Sequence, residues 1–216
     1  MNVRSKLLLC LLCIIMFLPM VAMSTLAVDI PLREISYSDI NTKVIIENQA
    51  VGITPQLVDE IAHEHPNTTI TFTNYVEAKP EIVPHIVFGI TITSKTTTSA
   101  NYIDKDVFVI SVAKGSQKSL TETWKQSLAA EVTHSDANLG LGLNSTITKE
   151  YSKTEVFSGP PENSVYNSRE FRIRFYADKG TYTGYYETDM GRGTNVSGTF
   201  KNPLRYAEYI IDRNIT

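Results

Sequence analysis

Residues 170–176 read EFRIRFY, and their alternation of apolar and charged side chains is the clearest strand pattern in the chain. Successive side chains of a β-strand point to opposite faces of the sheet. We therefore expect the three apolar side chains of this stretch to face a core, and Arg172 and Arg174 to face water or a partner. Asp178-Lys179-Gly180 has the composition of a turn, which predicts that residues 181–188 return as the next strand of a hairpin.

Most of the chain around this stretch also has the composition of strands and turns. β-branched and aromatic residues dominate five further segments, which we predict to be strands: 42–47, 69–73, 86–93, 106–112 and 204–212. For residues 204–212, which follow Asn202-Pro203, a helix is the alternative. Residues 189–199 are rich in glycine and polar residues and are predicted to form a loop. These patterns are typical of a mainly β protein with an antiparallel sheet or sandwich.

One convincing short helix is predicted near the start of the chain. Thr54 suits the N-cap, and Pro55 suits the first helical position. Apolar residues then recur at helical spacing from Leu57 to Ala62, and Pro66 ends the pattern.

The first 27 residues have the form of an export signal. Arg4 and Lys6 form a short basic region, an apolar run follows, and small residues near Ala22 or Ala27 suit a signal peptidase. We therefore predict that residues 28–216 form a single secreted β-rich domain. An uncleaved signal that anchors the protein in the membrane is the alternative.

The cysteine content and the net charge limit the compartments and the partner classes that are compatible with the sequence. Both cysteines, Cys10 and Cys13, lie in the predicted signal, so the mature chain is cysteine-free, which favours a bacterial exporter. The formal charge is −3, and because residues 1–27 contain two basic residues and no acid, residues 28–216 carry about −5. This charge argues against nucleic acid as a partner.

Residues 118–157 have an ambiguous pattern. Ser119-Leu120-Thr121-Glu122 matches a helix capping box, so a helix over residues 118–133 is one interpretation. The same stretch also alternates with period two, with a polar turn near residues 134–138, which predicts a long hairpin of residues 118–133 and 139–157. In that hairpin four apolar side chains share one face: Leu139, Leu141, Leu143 and Ile147.

A long Ser/Thr-rich hairpin with one apolar face resembles the membrane-inserting hairpin of aerolysin-type β-pore-forming proteins. The resemblance covers residues 118–157 and depends on patterning. It implies that hairpins from several subunits close into a transmembrane barrel, with the four apolar side chains facing lipid. The alternative is an ordinary amphipathic hairpin that packs on a β-sandwich.

Catalytic and metal-binding patterns are scarce in the sequence. Asp59 and His63 lie four residues apart on the predicted helix, but the spacing of His63 and His65 does not match the zinc-protease motif. No serine lies in a Gly-X-Ser-X-Gly elbow. We therefore expect a protein that is not an enzyme, with no metal and no cofactor.

Tyrosines offer the one candidate for ligand stacking. Tyr182 and Tyr186 lie on one face of a predicted strand, where exposed rings could stack on a glycan. Overall, the sequence predicts a secreted, non-catalytic protein that binds or assembles at or outside the cell envelope. Its partner would be an extracellular protein, a glycan, a membrane surface or further copies of the chain. A pore-forming protein that uses residues 118–157 is the first alternative, and a secreted hydrolase is the second.

Overall fold

The computed structural model describes residues 33–80, 89–188 and 190–215, without the side chains of residues 138 and 139. The predicted signal and the first part of the strand predicted at 86–93 lie outside the described residues. The strands are β1 (Arg33–Tyr37), β2 (Thr42–Ile46), β3 (Thr69–Glu77), β4 (Ile90–Ala113), β5 (Gln117–Ser119), β6 (Trp124–Leu128), β7 (Glu131–Val132), β8 (Ile147–Tyr151), β9 (Val156–Ser158), β10 (Ser168–Thr188) and β11 (Gly191–Arg213). The helices are α1 (Pro55–Glu64) and α2 (Asn138–Leu141), and 3₁₀ turns span Asn48–Ala50 and Ser135–Ala137.

Seven strands form one sheet in the order β1-β2-β3-β11-β10-β4, and β7 pairs with β11. Neighbouring strands are antiparallel except for β2 and β3. Two small ladders, β5–β9 and β6–β8, lie outside this sheet. The prediction of a mainly β protein with one short N-terminal helix is confirmed.

Helix α1 forms where the sequence predicts it. The Thr54 hydroxyl accepts a hydrogen bond from the Leu57 amide at 3.4 Å, and Pro55 is the first helical residue. One face of the helix is buried against β2, β3 and β11 through Leu57, Val58, Ile61 and Ala62. Because full burial of a Leu, Val or Ile side chain contributes about 1.5–3 kcal/mol, this apolar face holds a helix that would not persist alone.

Strands β10 and β11 extend well beyond the segments predicted from sequence. The prediction of a turn at residues 178–180 is wrong, because these residues continue β10. The prediction of a loop over residues 189–199 is wrong from residue 191 onward, since β11 begins there. The chain reverses instead between Thr188 and Gly191, and Gly191 has a φ of +102°, which favours glycine.

Asp178 and Gly180, the residues that make this segment resemble a turn, have structural roles inside the sheet. The Asp178 carboxylate accepts a hydrogen bond from the Asn101 amide at 2.6 Å, at an irregular point of β4. Gly180 lies so close to the Phe200 ring that an added Cβ would come within 2.7 Å of it. Neighbouring strands therefore decide the conformation of a segment that, by itself, favours a turn.

Strand β4 joins two segments that the sequence predicts as separate strands. Its pairing with β10 shifts register at five places along its length. Within the described residues, β10 is the one strand that pairs with it. Bulges of this kind twist an edge strand and interrupt its row of free backbone groups, which protects it from pairing with another chain.

Arg174 is buried, so the expectation that it faces water is wrong. Its side chain is only 3% exposed, and its guanidinium donates to the carboxylates of Asp106 on β4 and Glu64 on α1. Burial raises the pKa of Asp106, but the hydrogen bond and charge of Arg174 outweigh it and hold that pKa below its usual value. The partner of this charged face is therefore the chain's own helix and edge strand.

Candidate functional site

One long excursion from the main sheet is the most distinctive part of the fold. β4 and β10 are adjacent antiparallel strands, and Ala113 at the end of β4 pairs with Ser168 at the start of β10. Residues 114–167, which we call the strap, leave the sheet at this point and return to it at the same point. The strap contains the segment 118–157 that the sequence marks as ambiguous.

The strap is an interrupted hairpin. Its two arms are residues 114–128 and 147–167. Gln117 pairs with Ser158 and Leu128 pairs with Ile147, so each arm advances by eleven residues between these pairs and the register is kept. The interpretation of residues 118–133 as a helix is therefore wrong, and pairing between the two predicted arms is confirmed. The apex differs from the prediction, because residues 138–141 form helix α2 and not a strand.

The arms pack on one face of the sheet, close to the ends of β4 and β10 where the strap begins. Side chains from both arms join one buried cluster with residues of β4, β10 and β11: Leu128, Ile147, Tyr151, Phe157, Val109, Ile173, Phe175 and Tyr206. Trp124 lies over Tyr151 with a ring-centroid distance of 5.6 Å. Burial of this size fixes the arms to the sheet through the hydrophobic effect.

A buried carboxylate adds a polar clamp between the arms and the sheet. Glu208 on β11 is 5% exposed, and its oxygens accept from Lys149 Nζ at 2.8 Å and from the Tyr151 hydroxyl at 2.7 Å. The Asn74 amide completes the set at 2.8 Å. Burial and the adjacent Glu208 carboxylate raise the pKa of Tyr151, so its hydroxyl stays protonated and keeps donating.

A cleft of about 510 Å³ opens beside this clamp. It lies between the strap, which contributes Lys149 and Phe157, and the turn at residues 48–50. Burial raises the pKa of the Glu47 carboxyl at its edge. The cleft marks a place where the arms meet the sheet incompletely.

The tip of the strap, residues 129–146, packs on the far end of the three long strands. β7 pairs with the edge of β11 at Phe200 and Lys201. Beyond it, three tip side chains are buried with residues of β4, β10 and β11: Ala137, Leu141 and Leu143 with Ile90, Tyr182 and Phe200. On β10 the arms cover odd-numbered residues and the tip covers even-numbered ones, so the strap crosses from one face of the sheet to the other at the edge of β11.

Two glycines make this docking possible. A Cβ on Gly198 would lie 2.7 Å from Thr133 Cβ and 2.8 Å from the Tyr182 hydroxyl. A Cβ on Gly140 would lie 2.7 Å from the Ile92 side chain. Both contacts are shorter than van der Waals packing allows, so any larger residue at either position would push the tip off the strands.

The far end of the long strands, which we call the distal sheet (residues 90–99, 180–188 and 191–200), has two unlike faces. The face opposite the tip is exposed and rich in hydroxyls, with Thr199, Thr181 and Thr96 in one cross-strand row and Ser197, Thr183 and Ser94 in the next. The face under the tip, which we call the apolar face, consists of Ile90, Ile92, Tyr182, Tyr186, Val196 and Phe200.

The sequence-predicted site residues lie either in the docked strap or, for the two tyrosines, on β10 beneath its tip. Leu141, Leu143 and Ile147 are 4%, 2% and 6% exposed, and the side chain of Leu139 lies outside the described residues. Tyr182 is also buried, and its hydroxyl lies 2.8 Å from Nδ1 of His134 in the tip. Tyr186 is half-buried on the same face.

Several important residues carry no sequence signal. Glu208 and Lys149 form the clamp, yet they are 59 positions apart and each has an ordinary polar neighbourhood in sequence. Gly198 lies in a stretch that the composition predicts to be a loop. Lys125 and Glu150 lie in the two predicted arms, but they become cross-strand partners only in the register that the structure adopts.

Metal-binding clusters and membrane-spanning helices are both absent from the described residues. There, no group of three or more His, Cys, Asp or Glu side chains could hold a metal ion. None of the helices in the described ranges is long and apolar enough to cross a membrane. No protein-family model, curated protein or solved structure matches the chain.

Proposed function

We propose that this protein acts on membranes by assembly, and that the strap is its membrane-inserting hairpin. The position of the strap carries the proposal. Because the strap joins adjacent antiparallel strands, its release would lengthen β4 and β10 as one continuous hairpin without breaking the ladder between them.

The released strap is long enough to span a bilayer. Each half of residues 114–167 would reach roughly 90 Å when extended at about 3.3 Å per residue. A transmembrane strand needs only about 9–11 residues. The export signal expected in residues 1–27 would deliver such a protein to the outer surface of a target membrane.

The arms also have the two-sided pattern that a barrel strand requires. Trp124, Leu128 and Tyr151 lie on one face, where Lys149 is the one charged side chain of β6 and β8 and would carry its ammonium toward the headgroups. Lys125 and Glu150 lie opposite each other on the second face, with Nζ and Oε2 3.7 Å apart. In a barrel the first face would meet lipid and the second would meet the aqueous lumen. Several copies must join, since a single hairpin leaves backbone groups unpaired in hydrocarbon.

Two adjacent positions give the sharpest test. An environment-sensitive dye is attached to Gln126→Cys, on the face of the arms that carries Trp124 and Leu128. The matched control is Ser127→Cys, on the opposite face of the same strand, and Cys10 and Cys13 are changed to serine in both variants. On dye-loaded phosphatidylcholine vesicles we expect leakage, together with a strong rise in fluorescence at position 126 and little change at 127. Absence of leakage at micromolar protein, or equal responses at the two positions, would overturn the proposal.

Glycan stacking through Tyr182 and Tyr186 has less support. Tyr182 is 2% exposed, so its ring has no free face while the tip is docked.

A further inference from the structure

We infer that the tip is a removable cover, and that the apolar face beneath it is the surface by which the protein first attaches to a lipid bilayer. This inference rests on the proposed function and adds a step before insertion. The tip leaves first and the apolar face enters the bilayer surface, while the clamp at Glu208 still holds the arms.

The cover is held mainly by contacts that water or lipid can replace. Its backbone attachment to β11 is the two-residue strand β7, extended by the Thr133 amide, which donates to the Thr199 carbonyl at 3.0 Å. The Lys95 ammonium donates to the Leu141 carbonyl at 2.8 Å, and the Asn144 amide donates to the Asn202 side chain at 2.6 Å. Glu131 of the tip also pairs with Lys201 on β11, but the Glu131 side chain is 69% exposed. By contrast, the arms hold a larger apolar cluster, and their ion pair with Glu208 is buried.

The distal sheet has the dimensions and the pattern of a lipid-contacting surface. Residues 180–188 of β10 span about 30 Å as a strand, which is close to the thickness of the hydrocarbon core of a bilayer. One face carries hydroxyls and the other carries aliphatic and aromatic side chains, as in strands that separate water from lipid. Tyr186 lies near the far end of the apolar face, where an amphipathic ring suits the bilayer interface.

Two residues favour lipid over a second copy of the chain as the occupant. Lys95 pairs with Tyr182 and so shares the apolar face, with its ammonium 5.0 Å from the centre of the Phe200 ring. A flexible lysine can carry its charge to the headgroups, whereas a protein interface would bury it. Met190, in the turn that joins β10 and β11, is fully exposed, and its flexible apolar side chain suits contact with lipid.

The net charge points to neutral lipid. Residues 28–216 carry about −5, so attachment must depend on apolar contact and not on attraction to anionic headgroups. Vesicles of pure phosphatidylcholine are therefore the probe of choice, and vesicles with added phosphatidylserine serve as the comparison.

A disulfide lock tests the cover directly. Glu131 and Lys201 are direct antiparallel partners, so Glu131→Cys with Lys201→Cys has the Cα spacing that a disulfide needs. Cys10→Ser and Cys13→Ser leave this pair as the one source of a disulfide. Oxidised and reduced forms of one preparation are compared, so residues 1–27 contribute equally to both.

We expect the oxidised form to bind phosphatidylcholine vesicles about tenfold less than the reduced form, because the lock keeps the apolar surface covered. Equal binding of the two forms would overturn the inference. A reduced form that remains in solution with vesicles but becomes dimeric would also overturn it, by assigning the face to a second copy.

A steric variant tests the same step in the opposite direction. Gly198→Val places a side chain against Thr133 and should displace the tip, raising vesicle binding several-fold. Ser197→Val is the matched control, since it adds the same side chain to the exposed hydroxyl face of the same strand. Equal binding by the two variants would count against the inference. If circular dichroism shows that the Gly198→Val variant does not fold, the disulfide lock still tests the inference.

Binding and leakage together separate this inference from the proposed function. If the oxidised form binds vesicles as well as the reduced form but fails to cause leakage, the inference about the apolar face is wrong, and the proposal that the strap inserts into the membrane is retained. If only the reduced form binds and neither form causes leakage, attachment through the apolar face is supported, and the proposal that the strap inserts into the membrane is wrong.

Discussion

The two ends of the long strands β4, β10 and β11 are covered in different ways. At the end next to the strap's origin, α1 covers one face of the sheet and the arms cover the other, so Phe175 and Tyr176 are both fully buried although they point in opposite directions. At the distal end the described residues cover only one face, and the covering segment is the tip of the strap. The first end is buried on both faces, one of them by α1, whereas the burial at the distal end depends on the tip of the strap.

The largest expected effects compare one phenylalanine from each end. Phe175→Ala should lower the free energy of unfolding by about 3–5 kcal/mol, because it leaves a cavity in a core that cannot rearrange. Phe200→Ala should lower it less, since the protein can respond by releasing the tip and keeping the rest folded. Urea denaturation measures both values.

Hydrogen exchange shows where each variant opens. We expect Phe200→Ala to lose protection at tip amides such as Thr133, with the amides of β10 near Ile173 unchanged. Equal losses of global stability, with no selective opening of the tip, would show that the two ends form a single cooperative unit.

Removing a buried charge beneath α1 should have the next largest effect on the free energy of unfolding. Arg174→Met leaves Asp106 without its main partner and should cost about 3 kcal/mol in urea unfolding, as expected for one half of a buried ion pair. Arg172→Met is the matched control, because Arg172 is 22% exposed and should cost much less. Similar losses for both variants would contradict the assignment of Arg174 as the central charge.

The same cluster predicts a pH dependence. The pKa of Asp106 is lowered in the folded protein, so its contribution is present above the unfolded value of about 3.9. This contribution is lost as the pH falls through the lower folded value. Asp106→Asn should therefore differ most from the natural chain near neutral pH, and the difference in unfolding free energy should shrink below about pH 4.

The clamp of the arms should have an intermediate effect. Lys149→Met and Glu208→Gln should each destabilise the protein, and the double variant should lose less than the sum, with a coupling energy of about 1–2 kcal/mol. A double-mutant cycle in urea measures this energy. Additive losses would mean that the ion pair does not hold the arms.

The smallest effect should come from the exposed face of the arms. The Lys125 and Glu150 side chains are 60% and 53% exposed, so Lys125→Ala should change stability by less than about 0.5 kcal/mol. A larger loss in thermal unfolding would show that this face of the arms is covered in solution, which would weaken the contrast between the two ends of the long strands.

Local patterns were sufficient for the elements whose causes are local. The helix at Thr54 depends on a cap and on spacing within one short segment, and it forms as predicted. The pairing of the strap's arms follows from alternation on either side of a polar turn, and it is also found. The turn predicted at residues 178–180 fails because Asp178 and Gly180 suit both a turn and a bulged strand, and contacts from β4 and β11 decide between the two.

The candidate site lies mostly beyond sequence reasoning. The ambiguous segment 118–157 could be marked from its pattern, but the pattern does not show that it starts and ends at one point on a sheet. Its contacts join distant positions, such as Lys149 with Glu208 and Lys95 with Leu141. No spacing rule links residues this far apart, since loop closure brings them together only when the sheet forms.

The amino-acid sequence by itself determined the β character of the chain, its helix and the two-sided pattern of its strands, because these depend on side chains within a few residues of one another. Only the tertiary structure decided which of those faces are buried and by what. Arg174 is charged and lies on an alternating strand, yet it is buried because acids from α1 and β4 converge on it. The apolar face of the distal sheet is covered because a strap that begins at the opposite end of the sheet reaches across the edge of β11.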